Sequence, residues 1–253
     1  MVFELGLTEV YDLIYQDKDY EGETDFVEGL FRNYAKGPVV KILDGGCGTG
    51  GHAFPLAGRG YQVTGIDASG EMVRLARDKA SKAGLDIGFH TADLRQFDLI
   101  DKFDACLCMF SVLGYITDTG EVLKALQQIR NCLKEDGLFI FDCWNGLAVM
   151  RAFPSERVKI LQNGTKKVIR VATPEVDAFN HICHVNYQLV VYGDNTILGE
   201  FKERHTVRYF FPQEVVHYLK DADFEVLSVC PFLSPDGLVD ENVWNMTIVS
   251  RKK

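Results

Sequence analysis

The chain has 253 residues, 47% hydrophobic and 25% charged, which is ordinary for a soluble globular protein with one large domain or a domain and a lid. Its net charge of −9 and lack of a long Lys/Arg-rich run argue against nucleic acid as a partner. No apolar run approaches the roughly 18 residues of a membrane span, and the first residues carry no signal-like segment. We therefore predict a cytoplasmic protein with a small-molecule partner, no nucleic acid and no membrane.

Seven cysteines are present, none in a C-x-x-C pair, and most fall inside apolar strands. This pattern indicates buried, reduced thiols. The segment His181-Ile182-Cys183-His184 is the one cluster with metal-ligand chemistry, but a strand would divide its side chains between two faces. Because no second ligand pair accompanies it, we predict no metal site.

Apolar strands and amphipathic helices alternate along most of the chain. Residues 22–36 have one apolar face, which predicts a helix, and Gly37-Pro38 is expected to end it. The predicted strands are 39–44, 61–67, 87–92, 103–110 and 138–143. The predicted helices between them are 50–58, a helix capped by Ser69 that ends near Gly84, and one that begins with the capping-box pattern Asp118-x-x-Glu121. This alternation implies parallel strands joined by right-handed crossovers.

The alternation stops between residues 151 and 210. Three runs rich in β-branched and aromatic residues, 168–171, 184–192 and 203–210, predict an antiparallel sheet inserted after the fifth strand. This sheet could form a lid over a pocket, a dimer surface, or both. A helix at 212–222 and strands at 225–230 and 244–251 are predicted to complete the chain.

Residues 42–50 are the most informative stretch. A buried strand ends at Asp44, and Gly46, Gly48 and Gly50 follow at alternate positions before a helix. Glycines let a ligand approach the backbone closely, and the start of a helix offers unpaired N–H groups. Such a turn binds the amino-acid end or the phosphates of a nucleotide-like cofactor.

The glycine spacing alone leaves two cofactors open. The pattern Gly46-x-Gly48-x-x-Gly51 also fits the dinucleotide fingerprint, and Asp67 stands 21 residues after Gly46, near the position of a ribose-binding acid. An NAD(P)-dependent oxidoreductase is therefore the alternative from another enzyme class. A non-catalytic cofactor- or partner-binding protein is a third reading, which the full set of turn glycines and strand-end acids disfavours.

Three features favour S-adenosylmethionine. Asp44 stands directly before the glycines, which suits a ligand that carries an ammonium group. About forty residues precede the first strand, whereas a dinucleotide domain usually opens with that strand. Finally, Ala92-Asp93-Leu94 closes the third strand at the spacing expected for an adenine contact.

These residues resemble the class I S-adenosylmethionine-dependent methyltransferases. The resemblance covers roughly residues 5–150 and resumes near 210–250, and its motifs are residues 42–50, 65–69, 92–94 and 103–110. Within that family, residues 11–15, 18–20 and 108–111 look like the sugar N,N-dimethyltransferases of deoxyaminosugar pathways. They are similar, more distantly, to glycine N-methyltransferases.

The resemblance implies an α/β, Rossmann-like class I methyltransferase fold. It comprises a seven-stranded, mostly parallel sheet with helices on both faces, an antiparallel last strand, and an inserted antiparallel β-lid. We divide the chain into an N-terminal helical cap (1–37), a methyltransferase core (38–150 and 210–253) and an inserted subdomain (151–209). The sequence leaves open whether the chain forms a homodimer.

The predicted cofactor is S-adenosyl-L-methionine, with S-adenosyl-L-homocysteine as its product. Acids at the ends of neighbouring strands converge on one rim of such a sheet, and a carboxylate at Asp67 suits the two ribose hydroxyls. By resemblance, Asp93 meets the adenine amino group, Leu94 offers a backbone N–H, and Met72 lies against the adenine or in the helix core. The cofactor-binding set is Tyr20, Asp44, Gly46, Cys47, Gly48, Gly50, Asp67, Ala68, Met72, Asp93, Leu94 and Met109.

The predicted catalytic residues are Tyr15, Tyr115 and Tyr11. A tyrosine joins an apolar ring to a hydroxyl, which suits a wall beside a cation and an amine. Tyr11 and Tyr15 are also four residues apart, so they could simply pack on one helix face. By resemblance, Tyr15 lies near the acceptor amine and Tyr20 near the methionine part of the cofactor. Tyr115 follows the fourth strand, where sugar dimethyltransferases tend to carry histidine.

The resemblance thus implies methylation of a small molecule, with an amine on an aminosugar or an amino-acid-like compound as the expected acceptor. O- and C-methylation of another small metabolite remain open, because the residues on the acceptor side are the least constrained by the motifs.

Overall fold

The structure is a computed structural model that describes residues 10–194 and 196–253. Residues 1–9 of the predicted cap lie outside the described part. Two helices come first, and strands and helices then alternate, except that β4 follows β3 directly. The elements are α1 (Tyr11–Ile14), α2 (Tyr20–Tyr34), β1 (Lys41–Gly45), α3 (Ala53–Gly58), β2 (Gln62–Asp67), α4 (Gly70–Ala83), β3 (Gly88–Thr91), β4 (Phe103–Cys108), α5 (Thr119–Cys132), β5 (Leu133–Trp144) and α6 (Gly146–Arg151). A short 3₁₀ helix at Val112–Tyr115 lies between β4 and α5.

The remaining elements contain the insertion and the end of the core. They are β6 (Arg157–Asn163), β7 (Lys166–Asp177), β8 (Ile182–Gly193), β9 (Thr196–Arg208), α7 (Pro212–Asp221), β10 (Phe224–Pro231) and β11 (Asn245–Lys252). Strands β6 to β9 form their own four-stranded antiparallel sheet in chain order. The predicted antiparallel insertion is therefore present.

The large sheet has seven strands in the order β10-β11-β5-β4-β1-β2-β3. Strand β11 runs antiparallel to both of its neighbours, with Ile248 opposite Phe141 on β5 and Val229 on β10. The other strand pairs of the sheet are parallel. The predicted Rossmann-like sheet and its antiparallel last strand are confirmed.

Apolar cores lie on both faces of this sheet. One contains Ile129 of α5 and Leu219 of α7, and the other contains Leu30 of α2 and Val73 of α4. The helices therefore cover both faces, as predicted. All seven cysteines are buried free thiols. No helix within the described ranges is both long and apolar enough to cross a bilayer.

Local capping explains where the helices begin. Ser69 Oγ accepts a hydrogen bond from the Met72 N–H (3.3 Å), and Asp118 Oδ1 accepts one from the Glu121 N–H (3.0 Å). Both predicted caps are thus present. The first long helix starts at Tyr20 rather than at residue 22, because Asp19 caps it.

Strand β4 ends at Cys108, two residues earlier than the predicted 103–110. The reason is the backbone of Phe110 and Ser111, whose φ angles are 71° and 57°. These values are left-handed and incompatible with a strand. Asp142 on β5 accepts hydrogen bonds from both backbone N–H groups, so the chain turns away from the sheet here.

The four-stranded sheet packs against the first helix. A small apolar cluster joins them, made of Val10, Ile14, Leu161, Val168, Leu189 and Val191. An ion pair between Lys159 and Asp17 (2.7 Å) links the same two parts at the surface. Helix α1 is thus held against the inserted sheet. These contacts come from the part of the cap (residues 1–37) formed by α1 and the following turn, and we call the four-stranded sheet the lid.

Candidate active site

A cavity lies beyond the carboxyl ends of β1, β2 and β4, with an empty volume of about 1170 Å³ including its open mouth. Parallel α/β sheets bind ligands at this edge. The cavity brings together most of the predicted site residues: Tyr11, Tyr15, Tyr20, Gly46, Cys47, Gly48, Asp67, Ala68, Asp93, Leu94, Met109 and Tyr115. Segments far apart in the sequence therefore meet in one place.

Three predicted cofactor residues do not line the cavity. Asp44 is 2% exposed at the end of β1. Gly50 faces Phe54, whose ring would lie 2.6 Å from an added Cβ. Met72 is fully buried on α4, because the inner face of that helix packs on the sheet. Met72 therefore occupies the position of a core residue, and its contact with adenine stays a prediction.

The glycine turn adopts a backbone that requires its glycines. Gly46 and Gly48 have φ angles of 74° and 53°. A Cβ at Gly46 would also collide with the side chain of Val112. The N–H groups of Gly46 and Cys47 both donate to the carbonyl of Ile66 on β2, at 2.7 and 2.9 Å, which anchors the turn to the sheet.

Asp67 is fixed by two backbone hydrogen bonds. Its Oδ2 accepts from the Gly48 N–H (2.9 Å) and its Oδ1 from the Ser69 N–H (2.8 Å). Burial raises the pKa of Asp67, and these two bonds offset part of that effect. Because a carboxylate oxygen can accept more than one hydrogen bond, both oxygens retain capacity for two donors on a ligand.

Asp44 carries a buried acceptor that no described residue satisfies. Its Oδ2 has no hydrogen-bond partner within residues 10–194 and 196–253. Burial raises the pKa of Asp44 to about 6, with a further increase from Asp67 and a decrease from His52. Because buried polar atoms are nearly always paired, this oxygen, which lies outside the cavity lining, requires a donor such as a water that bridges to a ligand.

Asp93 is held by an arginine that lies just outside the sequence motif 92–94. Arg95 donates from Nε to Asp93 Oδ1 (2.8 Å) and from its terminal nitrogen to Oδ2 (2.5 Å). This paired contact lowers the pKa of Asp93, which therefore stays ionised. Arg95 also lines the cavity, so this end of the site presents an ion pair rather than a lone carboxylate.

The cap closes over the glycine turn. Thr49 in the turn donates from Oγ1 to Asp12 of α1 (2.7 Å). The rings of Tyr11 and Tyr15 lie 4.7 Å apart, and the ring of Tyr15 meets Phe110 edge-on at 5.1 Å. The two tyrosines therefore pack together and also face the cavity. Packing on one helix face and a position at the site are thus compatible.

A buried polar network supports the wall of the cavity. Lys18 forms an ion pair with Glu23, and Glu23 Oε2 lies 2.6 Å from Nε2 of His52. The ammonium of Lys18 also lies 4.6 Å above the ring of Phe110, at cation–π distance. His52 lines the cavity, and its carboxylate partner Glu23 comes from α2.

The lid adds a second polar cluster at the cavity. Tyr115 Oη lies 2.9 Å from Nδ1 of His205, and Nε2 of His205 lies 3.0 Å from Glu203 Oε2. Glu203 and His205 alternate along β9, so both point to one face of the lid. The sequence gives one indication of this cluster. Glu203 and His205 are ionisable residues on a strand face whose other members, Phe201 and Val207, are apolar.

The comparisons with known proteins agree with this geometry. Residues 42–137 match the family model described as a methyltransferase domain. The fold matches a crystal structure of an S-adenosylmethionine-dependent methyltransferase from Clostridium acetobutylicum with a TM-score of 0.84 and 22% identity, over 98% of both chains. Residues 42–137 are thus similar to a methyltransferase domain, and the chain has the fold of the class I S-adenosylmethionine-dependent methyltransferases. A similar structure, that of CalS10 from Micromonospora echinaspora, contains bound S-adenosylmethionine (TM-score 0.78, 21% identity, 100% of this chain and 98% of that one).

Two further similarities lie within the methyltransferases. DesVI of Streptomyces venezuelae shares the fold, with a TM-score of 0.82 and 22% identity over 99% of this chain and 100% of that one. The dTDP-3-amino-3,6-dideoxy-α-D-glucopyranose N,N-dimethyltransferase of Streptomyces fradiae is 33% identical over 140 residues. That alignment covers 54% of this methyltransferase and 53% of the relative, so this chain matches about half of that relative's length.

Proposed function

We infer that this methyltransferase transfers a methyl group from S-adenosylmethionine to an amine on a small molecule. The observation that carries this inference is the position of Tyr11, Tyr15 and Tyr115 around the cavity that also contains the glycine turn and Asp67. Aromatic rings stabilise a nearby cation, and tyrosine hydroxyls can hydrogen-bond an amine. Both properties suit the meeting point of a sulfonium and an amine.

The residues present fit the cofactor. The turn around Gly46 and Gly48 lets a ligand touch the backbone, and Asp67 offers two acceptor oxygens to a pair of ribose hydroxyls. Asp44 lies outside the cavity lining, so its Oδ2, which has no partner among residues 10–194 and 196–253, would meet the ammonium of the methionine part through a bridging water. When bound, S-adenosylmethionine supplies an electrophilic methyl group on a positive sulfur.

The protein's own task is to align the acceptor and exclude water. The cap and the lid pack on each other through an apolar cluster that includes Ile14 and Leu189, and the cap is tied to the glycine turn through Thr49. We propose that residues 1–37 and 151–209 act together as the cover of the core formed by residues 38–150 and 210–253. Tyr15 and Phe110 would then form the wall beside the acceptor.

The acidic character of the chain supports a small acceptor rather than a nucleic acid. The similarity to an aminosugar dimethyltransferase makes a nucleotide-linked aminosugar the first acceptor to test. Amino-acid-like amines come next, and hydroxyl or carbon acceptors remain the alternative.

A direct test is a panel of acceptors incubated with S-adenosylmethionine and analysed by mass spectrometry. The panel contains dTDP-3-amino-3,6-dideoxy-α-D-glucopyranose, glycine, a catechol as the hydroxyl acceptor, and no acceptor as the blank. We expect a mass gain of about 14 daltons, one added CH₂, on an amine. A mass gain on the catechol alone would show that the protein is an O-methyltransferase rather than an N-methyltransferase. No mass gain on any acceptor would contradict the proposed function.

The position of Asp44 predicts how cofactor affinity depends on pH. A proton and the ligand's ammonium compete for this carboxylate, whose pKa is raised to about 6 by burial. Affinity for S-adenosylhomocysteine should therefore fall as the pH drops, by about tenfold between pH 7 and pH 5. Calorimetric titration at several pH values measures this change.

The matched control is Asp44→Asn, which keeps the shape of the side chain but does not titrate. We expect it to bind the ligand more weakly at pH 7 and to lose most of the pH dependence. If Asp44→Asn follows the same pH curve as the unmodified protein, another group causes the effect and the assigned role of Asp44 is wrong.

A further inference from the structure

A chain of three side chains leads from the cavity into the lid. It begins at Tyr115, which lines the cavity, continues through His205 on β9, and ends at Glu203 on the same strand. His205 is 5% exposed, and the side chain of Glu203 is 6% exposed. Oε1 of Glu203 has no hydrogen-bond partner among the residues that the structure describes. The chain therefore runs from the ligand site to a buried carboxylate.

The chemistry of these groups fixes the direction of their hydrogen bonds. An ionised carboxylate only accepts, so Nε2 of His205 must carry the proton shared with Glu203. The neutral imidazole then has an acceptor at Nδ1, which faces the hydroxyl of Tyr115. Burial raises the pKa of Tyr115 well above its ordinary value, so this hydroxyl keeps its proton.

Other charged and titratable groups also face this cluster. The ring of Tyr187 meets His205 edge-on at 5.0 Å. The guanidinium of Arg170 packs on the rings of Tyr187 and Tyr15, at 5.3 and 5.7 Å. The carboxylate of Glu203 therefore bonds the imidazole directly, whereas the guanidinium of Arg170 packs on the tyrosine rings beside it.

We propose that Tyr115, His205 and Glu203 form a proton relay that converts the acceptor's ammonium into a nucleophilic amine. This inference rests on the proposed function. An ammonium N–H proton passes to Tyr115 Oη as the tyrosine's own proton passes to Nδ1 of His205. The N–H electron pair stays on nitrogen as its lone pair, and the imidazolium is stabilised by Glu203. No oxidant or reductant is needed, because only protons move.

The relay assigns separate roles to its three members. Tyr115 faces the cavity and exchanges protons with the acceptor, whereas His205 and Glu203 act through it. The lid therefore supplies part of the chemistry and does more than cover the site. General acid–base catalysis contributes about 10²- to 10⁴-fold to a rate, so losing the relay should be readily measurable.

The first test is a long-range ¹H–¹⁵N NMR correlation spectrum of the full-length protein without any ligand. The His205 signals are assigned by their absence in the His205→Asn variant. We expect Nε2 to carry the proton and Nδ1 to be unprotonated when the ring is neutral, and Glu203→Gln to weaken this tautomer preference. A wild-type ring with its proton on Nδ1 would overturn the relay.

The second test compares methylation rates of the wild-type protein and His205→Asn over a range of pH. The introduced amide can accept a hydrogen bond from Tyr115 but cannot take up its proton at neutral pH. With dTDP-3-amino-3,6-dideoxy-α-D-glucopyranose or glycine, whichever is methylated, we expect kcat at pH 7 to fall by about 10². The deficit should shrink as the pH approaches the amine's own pKa, since solvent then removes the proton.

The matched control is His184→Asn. His184 lies on β8 of the same lid and bonds Thr206 (3.0 Å) rather than Tyr115. The His184→Asn variant should have the wild-type methylation rate and pH profile. Calorimetry with S-adenosylhomocysteine should show that the His205→Asn variant still binds the product. Wild-type-like kcat in His205→Asn would overturn the relay alone. Failure of the wild-type protein to methylate either amine would instead overturn the proposed function, and the relay with it.

Discussion

The Asp67→Ala variant should bind S-adenosylhomocysteine about 10²- to 10⁴-fold more weakly than the wild-type protein. Each hydrogen bond to a charged group contributes about 1.5–3 kcal/mol, and a ribose would donate two of them. The substitution also leaves the N–H groups of Gly48 and Ser69 without their carboxylate acceptor. Isothermal titration calorimetry measures the change in affinity directly.

The control for this variant is Asp78→Ala, which removes an exposed carboxylate on α4 that pairs only with Arg74 among the described side chains. It should bind the ligand like the wild-type protein. Circular dichroism spectra of both variants verify that the fold is intact. Wild-type affinity in a folded Asp67→Ala protein would reject the role of Asp67 in holding the ribose.

Replacing Asp142 by alanine should destabilise the protein by about 3 kcal/mol. Its carboxylate is 1% exposed and accepts hydrogen bonds from the N–H groups of Phe110 and Ser111 and from the Ser111 hydroxyl. Removing it leaves buried donors unsatisfied at two residues with positive φ, each donor at a cost of about 1–3 kcal/mol. For a chain of this size, the melting temperature should fall by about 6–12 °C.

The Asp142 variant should also disturb the cavity, because Phe110 forms part of its wall. Asp86→Ala, which removes an exposed carboxylate, is the control and should leave the melting temperature unchanged. Asp142→Asn keeps one acceptor oxygen, so it should lie between wild type and alanine. A melting temperature within about 2 °C of wild type for Asp142→Ala would show that the loop is held by other contacts.

Periodicity and capping residues were sufficient to predict the core. Ser69 and Asp118 cap their helices because a side-chain oxygen at these positions can accept from a backbone N–H two or three residues on. Parallel strands followed from the alternation of elements. The end of β4 was predicted too late, because the apolar run continues through Met109 and Phe110 and nothing local reveals the positive φ of Phe110.

The positions of the glycine turn and of the acids at the strand ends were also predictable. These residues follow strand ends or lie in one short turn, so a topology rule brings Gly46, Asp67 and Asp93 together. Asp142 was missed although a carboxylate inside the apolar run 138–143 is a signal of a buried polar contact. Its partners lie about thirty residues away, and pattern alone does not identify them.

The acceptor side depends on contacts between segments that are remote in the sequence. His205 meets Tyr115 across 90 residues of chain, and only the packing of the lid on the core brings them together. Strand alternation predicts that Glu203 and His205 share a face, but it does not say which face meets the cavity. The register of an inserted sheet against the core is set by tertiary packing, which a single sequence does not reveal.

The central claim is that the glycine turn and its neighbouring carboxylates bind S-adenosylmethionine. The most direct measurement is a pair of calorimetric titrations of the wild-type protein, one with S-adenosylhomocysteine and one with NAD⁺. We predict saturable one-site binding of S-adenosylhomocysteine and no measurable heat from NAD⁺. Saturable binding of NAD⁺ with none of S-adenosylhomocysteine would contradict the claim.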